Sequence, residues 1–172
     1  MILGIDPGLN GALAVVNDEG LLLDVYDTPT VETRSSSGKR RRLIDDSTLW
    51  NIVHEPRLAS HHNMAFIELV HAMPGQGVVS MFTMGLGLGI WYGVLRASGI
   101  SFDKDVTPQA WKKVMLAGTG KDKNAARVKC QQLWPSKADL FARVKDDGRA
   151  DAALIAEYGR RLRIGSAVVV DR

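Results

Sequence analysis

Cysteine is almost missing from this chain: Cys130 is its only one. An internal disulfide is therefore excluded. A lone thiol inside a helical stretch reads as an inert packing residue in a reducing, cytoplasmic setting. No histidine–cysteine cluster offers a zinc site. Aromatics are sparse at 6%. Charge is absent from residues 72–95, which hold no Asp, Glu, Lys or Arg. That length would suit a membrane span, but Pro74-Gly75-Gln76-Gly77 opens the run, and Gly85, Gly87, Gly89 and Gly93 punctuate it. The expectation is a helix buried on most sides, whose glycines let a second helix approach closely, with no membrane partner. No secretory leader is expected, because the N-terminus opens directly on a strand pattern.

The 172 residues suit one α/β domain with a single core, residues 1–172. Apolar residues make up 45% and charged ones 24%, ordinary for a globular chain. Net charge is +3, so the distribution of charge says more than its balance. Residues 1–6, 12–16 and 21–26 read as a meander of three short strands. Residues 30–46 read as a basic flexible loop, with Ser35-Ser36-Ser37-Gly38 running into Lys39-Arg40-Arg41-Arg42. A helix is predicted over 47–60, capped by Asp46 or Ser47, with Pro56 as a point where it can split. A strand over 64–69, the Gly-rich helix over 78–97 and a strand over 102–106 follow. Thr107-Pro108 starts another helix, broken at Gly118-Thr119-Gly120. A basic helix over 121–133, an amphipathic helix over 148–162 and an apolar tail over 167–170 complete the chain. Hairpins first, then strands alternating with helices, argue a mixed sheet of about five strands with helices on both faces.

Three acids stand near element ends. Asp6 ends the first strand in Gly4-Ile5-Asp6-Pro7-Gly8. Glu68 is the one acid in the apolar run Phe66-Ile67-Glu68-Leu69-Val70, where a charge is costly unless it is paired or bound to a cation. Asp151 lies in Asp146-Asp147-Gly148-Arg149-Ala150-Asp151-Ala152, in the first turn of an Ala-rich helix. Asp147 precedes it by four residues and shares its face if the helix starts that early. Each has a plainer reading: Asp147 as an N-cap, Asp151 as a first-turn acid favoured by the helix dipole, Asp6 as a turn residue before proline.

The pieces Gly4-Ile5-Asp6-Pro7-Gly8 with Gly11-Ala12, Ile67-Glu68, and Asp147-Gly148-Arg149-Ala150-Asp151-Ala152 resemble the RuvC family of Holliday-junction resolvases, within the RNase H-like superfamily. They fall in the family's order across nearly the whole chain, closest to its phage and phage-like branch. The resemblance implies an RNase H-like fold and a crossover junction endodeoxyribonuclease. It would work in a bacterial or phage-infected cytoplasm, as a homodimer, on branched DNA, making paired symmetric nicks. It implies two Mg²⁺ (or Mn²⁺) ions held by Asp6, Glu68 and Asp151. The fourth ligand lies between Asp146 and Asp147, with Asp147 favoured by its spacing. Many relatives carry an acid or histidine three residues before the last Asp, where this chain has Gly148.

Cations supply a phosphate-binding surface. Arg34, Lys39, Arg40, Arg41 and Arg42 cluster in one segment, and Lys112, Lys113, Lys121, Lys123, Arg127 and Lys129 in another. The plainer reading is a solvated face. The resemblance places lysines of the second group near the scissile phosphate, with Lys113 and Lys123 the best matches, Lys121 next, and Lys123 the catalytic choice. It also puts His71 where relatives carry an aromatic wedge.

Other classes stay open. A relaxed nuclease for flaps, forks or replication intermediates would use the same acids. An actin-like ATPase or sugar kinase shares the strand–Asp–Gly opening, but this chain lacks the length for two lobes and a second phosphate-binding Gly motif, so no nucleotide cofactor is expected. A DNA-binding module without catalysis would not need Asp6, Glu68 and Asp151.

Overall fold

The computed structural model describes residues 1–34, 38–119 and 122–170, with the backbone alone for 166–170. Five strands form one mixed sheet: β1 (Ile2–Asp6), β2 (Ala12–Val16), β3 (Leu22–Asp27), β6 (Met64–Glu68) and β7 (Ser101–Val106). Their order is β3-β2-β1-β6-β7. The first three are antiparallel, while β6 lies parallel to β1, and β7 parallel to β6. Strand alternation sends the residues of β1 to two different cores. Leu3 and Ile5 pack with Ala65, Ile67, Leu49, Trp91 and Leu95, under α1 (Asp46–Val53) and α2 (Val78–Ala97). Ile2 packs with Phe66, Trp111, Cys130 and Ala152–Ala156, under α3 (Pro108–Met115), α4 (Ala125–Leu133) and α5 (Asp147–Val170). The mixed five-stranded sheet with helices on both faces is thus as the sequence predicts.

The structure revises several local expectations. Residues 30–46 are not an irregular loop. They hold an antiparallel hairpin of β4 (Thr30–Arg34) and β5 (Arg40–Ile44), pairing Thr30 with Ile44 and Arg34 with Arg40. Beyond Val31 opposite Leu43 and the buried Ile44, its residues are polar or charged, so no apolar alternation announces it. The turn residues 35–37 lie outside the described residues. The first helix ends at Val53, before Pro56, and its cap is Asp45, whose side chain accepts from the Thr48 N–H at 3.0 Å. The basic helix starts only at Ala125. Pro135 opens a 3-10 helix (Pro135–Phe141), and the apolar tail is a continuation of α5.

The Gly-rich helix α2 differs most. It buries only Gly87, Trp91, Val94 and Leu95. Val78, Val79, Phe82 and Leu86 are exposed, and a Cβ added at Gly85, Gly89 or Gly93 would meet nothing within 4 Å. It is the one helix among the described residues long and apolar enough to cross a membrane. Of its aromatics, Trp91 is core, Tyr92 stacks on Phe102, and Phe82 faces outward.

Candidate active site

Asp6 and Glu68 each follow the last paired residue of two adjacent parallel strands, Ile5 opposite Ile67. Alternation turns both side chains to the face covered by α3 and α5. The carboxyl ends of parallel strands are where open α/β sheets build their sites. Asp151 reaches the same place from above, one turn into α5. That helix sits close on β1 because residue 4 is glycine: a Cβ there would lie 2.1 Å from the Ala152 carbonyl oxygen.

Each carboxylate has a partner. Asp6 Oδ1 accepts from the Gly8 N–H at 3.0 Å, within the 8–11 turn. Glu68 Oε1 accepts from the indole N–H of the fully buried Trp111 at 2.8 Å. Lys112 Nζ stands 4.0 Å from Asp151 Oδ2. Burial pushes Asp6 up to about 6 against the Gly8 hydrogen bond, with the Glu68 charge adding to the rise and Lys112 opposing it. Burial likewise pushes Asp151 up to about 7, opposed by Lys112 and reinforced by Asp6, Glu68 and Asp147. The three acids therefore feel one another, with Lys112 the one lysine among the described residues that offsets them.

These raised values predict a pH dependence of folding. The native chain binds protons on Asp6 and Asp151 more tightly than the unfolded chain does. Their contribution to stability is complete below about pH 4 and is lost as pH rises through about 6 to 7. Melting in a chelating buffer should fall by several degrees between pH 5 and 8. Asp151→Asn should flatten that slope.

The donors suit a hard divalent cation, being all carboxylate oxygens at a site short of positive charge. Among the described residues, no three acidic, histidine or cysteine side chains form a ready-made ion cage. Their oxygens turn instead to the Gly8 and Trp111 N–H groups and toward Lys112.

The two acids preceding Asp151 part company. Asp146 is buried, at 1% exposure, and closes onto Arg143: its oxygens accept from the Arg143 backbone N–H at 2.8 Å and from Nη2 at 2.8 Å. The Arg143 guanidinium holds its carboxyl below the usual carboxylate range. Asp146 therefore fastens the start of α5. Asp147 is the first residue of that helix, so it shares the face of Asp151, but its Oδ1 accepts from Arg127 Nε at 2.9 Å.

The predicted cations scatter. Arg42 turns back onto the site's own turn, donating to the Leu9 carbonyl at 3.0 Å and to Asn10 Oδ1. Arg40 lies 3.9 Å from Glu32 across the hairpin, and Arg41 is exposed beside Pro7 and Gly8. His71 is exposed in the segment after β6. Lys113 and Lys123 are exposed, and neither ion-pairs with the carboxylates; Lys121 lies outside the described residues. Lys112 is the lysine that faces the acids. Sequence reasoning grouped Lys112 with its neighbours and passed over Trp111 as a partner of Glu68. The signal available was α3's own stripe, Trp111 and Met115 at i,i+4, which orients the helix.

No family model matches the chain. Over 94 residues it is 31% identical to the chloroplastic Holliday junction resolvase MOC1 of Chlamydomonas reinhardtii, a match covering 54% of this chain and 10% of that protein. The chain thus spans about a tenth of the length of that curated relative. Among solved structures it is similar to RuvC of Thermus thermophilus, with a TM-score of 0.58 at 16% identity over 95% of this chain and 96% of that one. T. thermophilus RuvC in complex with a Holliday junction substrate gives a TM-score of 0.63 at 17% identity, over 95% of both chains. This chain has the RuvC fold. The yeast mitochondrial resolvase Ydc2 shares it, with a TM-score of 0.53 at 15% identity, over 93% of this chain and 77% of that one.

Within that RuvC fold, Gly148 has a steric explanation. A Cβ at 148 would lie 2.1 Å from the Asn10 carbonyl oxygen. No acid or histidine can stand three residues before Asp151 while the 8–11 turn packs against α5. The nearest place for an acid on the same face is Asp147.

Proposed function

We propose that this protein is a metal-dependent endonuclease that resolves four-way DNA junctions by paired nicks. The observation carrying this reading is the meeting of Asp6, Glu68 and Asp151 at the carboxyl ends of β1 and β6. In this reading Asp6, Glu68 and Asp151 hold two Mg²⁺ (or Mn²⁺) ions, with Asp147 completing the set. Held by these carboxylates, such ions would supply activation of the attacking water and charge stabilisation at the leaving oxygen. The chain's own residues do the rest. Trp111 fixes the Glu68 carboxylate. Lys112 offers a point charge to a non-bridging phosphate oxygen beside Asp151. Arg40, Arg41 and Arg42 on the hairpin, with Lys113, Lys121 and Lys123, take the flanking phosphates. His71 reaches the branch point from the segment after β6.

A second copy of this chain completes the enzyme in this reading. The exposed Val78, Phe82 and Leu86, with the uncrowded Gly85, Gly89 and Gly93 on the same helix, favour close packing of two α2 helices about a two-fold axis. Two sites then face two strands of a branch that itself has two-fold character. A cytoplasmic address goes with the reading.

Incubation of labelled four-way junction, flap and linear duplex with the protein in Mg²⁺ tests it. Symmetric paired nicks in the junction, with the duplex left intact, are expected. Cutting confined to flaps would move the substrate to replication intermediates, and no cutting of any branched DNA would overturn the reading. Trp111→Phe keeps the ring and removes the N–H that Glu68 accepts. Junction cleavage by that variant should fall about ten- to a hundredfold, as for other partners that orient a metal ligand. Single-turnover rates check this.

A further inference from the structure

Arg127 is the only buried cation among the described residues, at 9% exposure. Each of its guanidinium nitrogens has a partner. Nε donates to Asp147 Oδ1 at 2.9 Å, Nη1 to the Ala142 carbonyl at 3.2 Å and the Phe141 carbonyl at 3.4 Å, and Nη2 to Asn124 Oδ1. Three of those four partners belong to α4's start and the end of the 3-10 helix, so the guanidinium stays in place without Asp147. Asp147 is the more exposed member of the pair. Its side chain is 58% exposed, it rests on the first residue of α5, and its charge reaches Asp151 one turn along the same face.

We propose that Arg127 is a positioning residue that parks Asp147 away from the Asp6–Glu68–Asp151 cluster and yields it when divalent cations enter. The inference rests on the metal-dependent reading above. Its physical basis is charge compensation. Among the described residues, three buried or half-buried acids share Lys112 in the ion-free chain, and a fourth free acid would add repulsion. Arg127 neutralises the fourth acid one helical turn before Asp151. Entering cations reverse the balance: the cluster becomes positive, and the carboxylate moves from a guanidinium to an ion. No covalent bond breaks: Asp147 exchanges its hydrogen bond from Arg127 for an ion. Arg127 keeps its carbonyl and Asn124 contacts, so the buried cation is not left without partners.

The Nε–H resonance of Arg127 in ¹⁵N-labelled full chain, followed through a Mg²⁺ titration, tests this directly. The Gly8 amide and the Trp111 Nε1–H report ion binding at the cluster independently. The expected result is that all three signals move with one saturation curve, the Arg127 Nε–H exchanging with water faster once Asp147 has left it. Asp147→Asn should start with the Arg127 signal already altered and unresponsive to Mg²⁺, and should bind the ion about tenfold more weakly. Ion-dependent shifts at Gly8 and Trp111 with an unmoved Arg127 signal would overturn the parking role alone. No shift at any of the three up to tens of millimolar Mg²⁺ would overturn the metal-dependent reading, and the inference with it.

Discussion

Asp6→Asn should abolish junction cleavage while making the ion-free fold more stable. The two effects share one cause. Asp6 ends a strand among three acids, and burial lifts its carboxyl to about 6. At pH 8 the native chain must therefore hold a charge there that the unfolded chain carries at lower cost. Removing it relieves on the order of 1–3 kcal/mol. The same substitution removes a cation ligand whose charge stabilisation in the transition state is worth several kcal/mol, about a thousandfold in rate. Melting in chelator at pH 8 should rise by a few degrees, and single-turnover cleavage in Mg²⁺ should fall to background. A variant that loses activity by losing its fold would show the opposite melting shift.

Gly4→Val should severely damage the fold. The added Cβ would lie 2.1 Å from the Ala152 carbonyl oxygen and 2.2 Å from the Ala156 amide nitrogen. Both are backbone atoms of α5, so no side-chain rotation relieves the contact. The helix must lift off β1, opening the core formed by Ala150 and Ala152–Ala156 and withdrawing Asp151 from Asp6. Overpacking of this kind costs about 3 kcal/mol or more. For a chain of this size that is about a 6–12 °C fall in melting temperature, or loss of cooperative unfolding. Gly165→Ala, also in α5, is the control. A Cβ there meets nothing within 4 Å, and the better helix propensity should leave melting unchanged or slightly higher.

The central carboxylates were legible in the sequence because strand chemistry exposes them. Asp6 and Glu68 are charges at the ends of apolar runs, and nothing in those runs pairs with them. The sequence pattern predicts the last helix from Gly148, one residue after the Asp147 start that the structure shows. What was hidden depends on tertiary placement. Lys112 and Lys113 differ by about 100° around α3, so only the burial of Trp111 decides which faces the acids. Asp146 and Asp147 are chemically alike, and their roles divide because Arg143 closes on one and Arg127, twenty residues upstream, holds the other. The hairpin of residues 30–44 was masked because its few apolar residues, Val31, Leu43 and the buried Ile44, do not alternate. The apolar run of α2 gave its helix correctly but not its exposure, because a helix apolar on every side does not reveal which side the sheet covers.

Crystals soaked in Mn²⁺ and measured for anomalous scattering test the central claim most directly. The account predicts peaks within about 2.3 Å of carboxylate oxygens of Asp6, Glu68 and Asp151, absent from crystals of Asp6→Asn. Saturating Mn²⁺ with no peak at the ends of β1 and β6, in a chain that still cuts junctions, would contradict it.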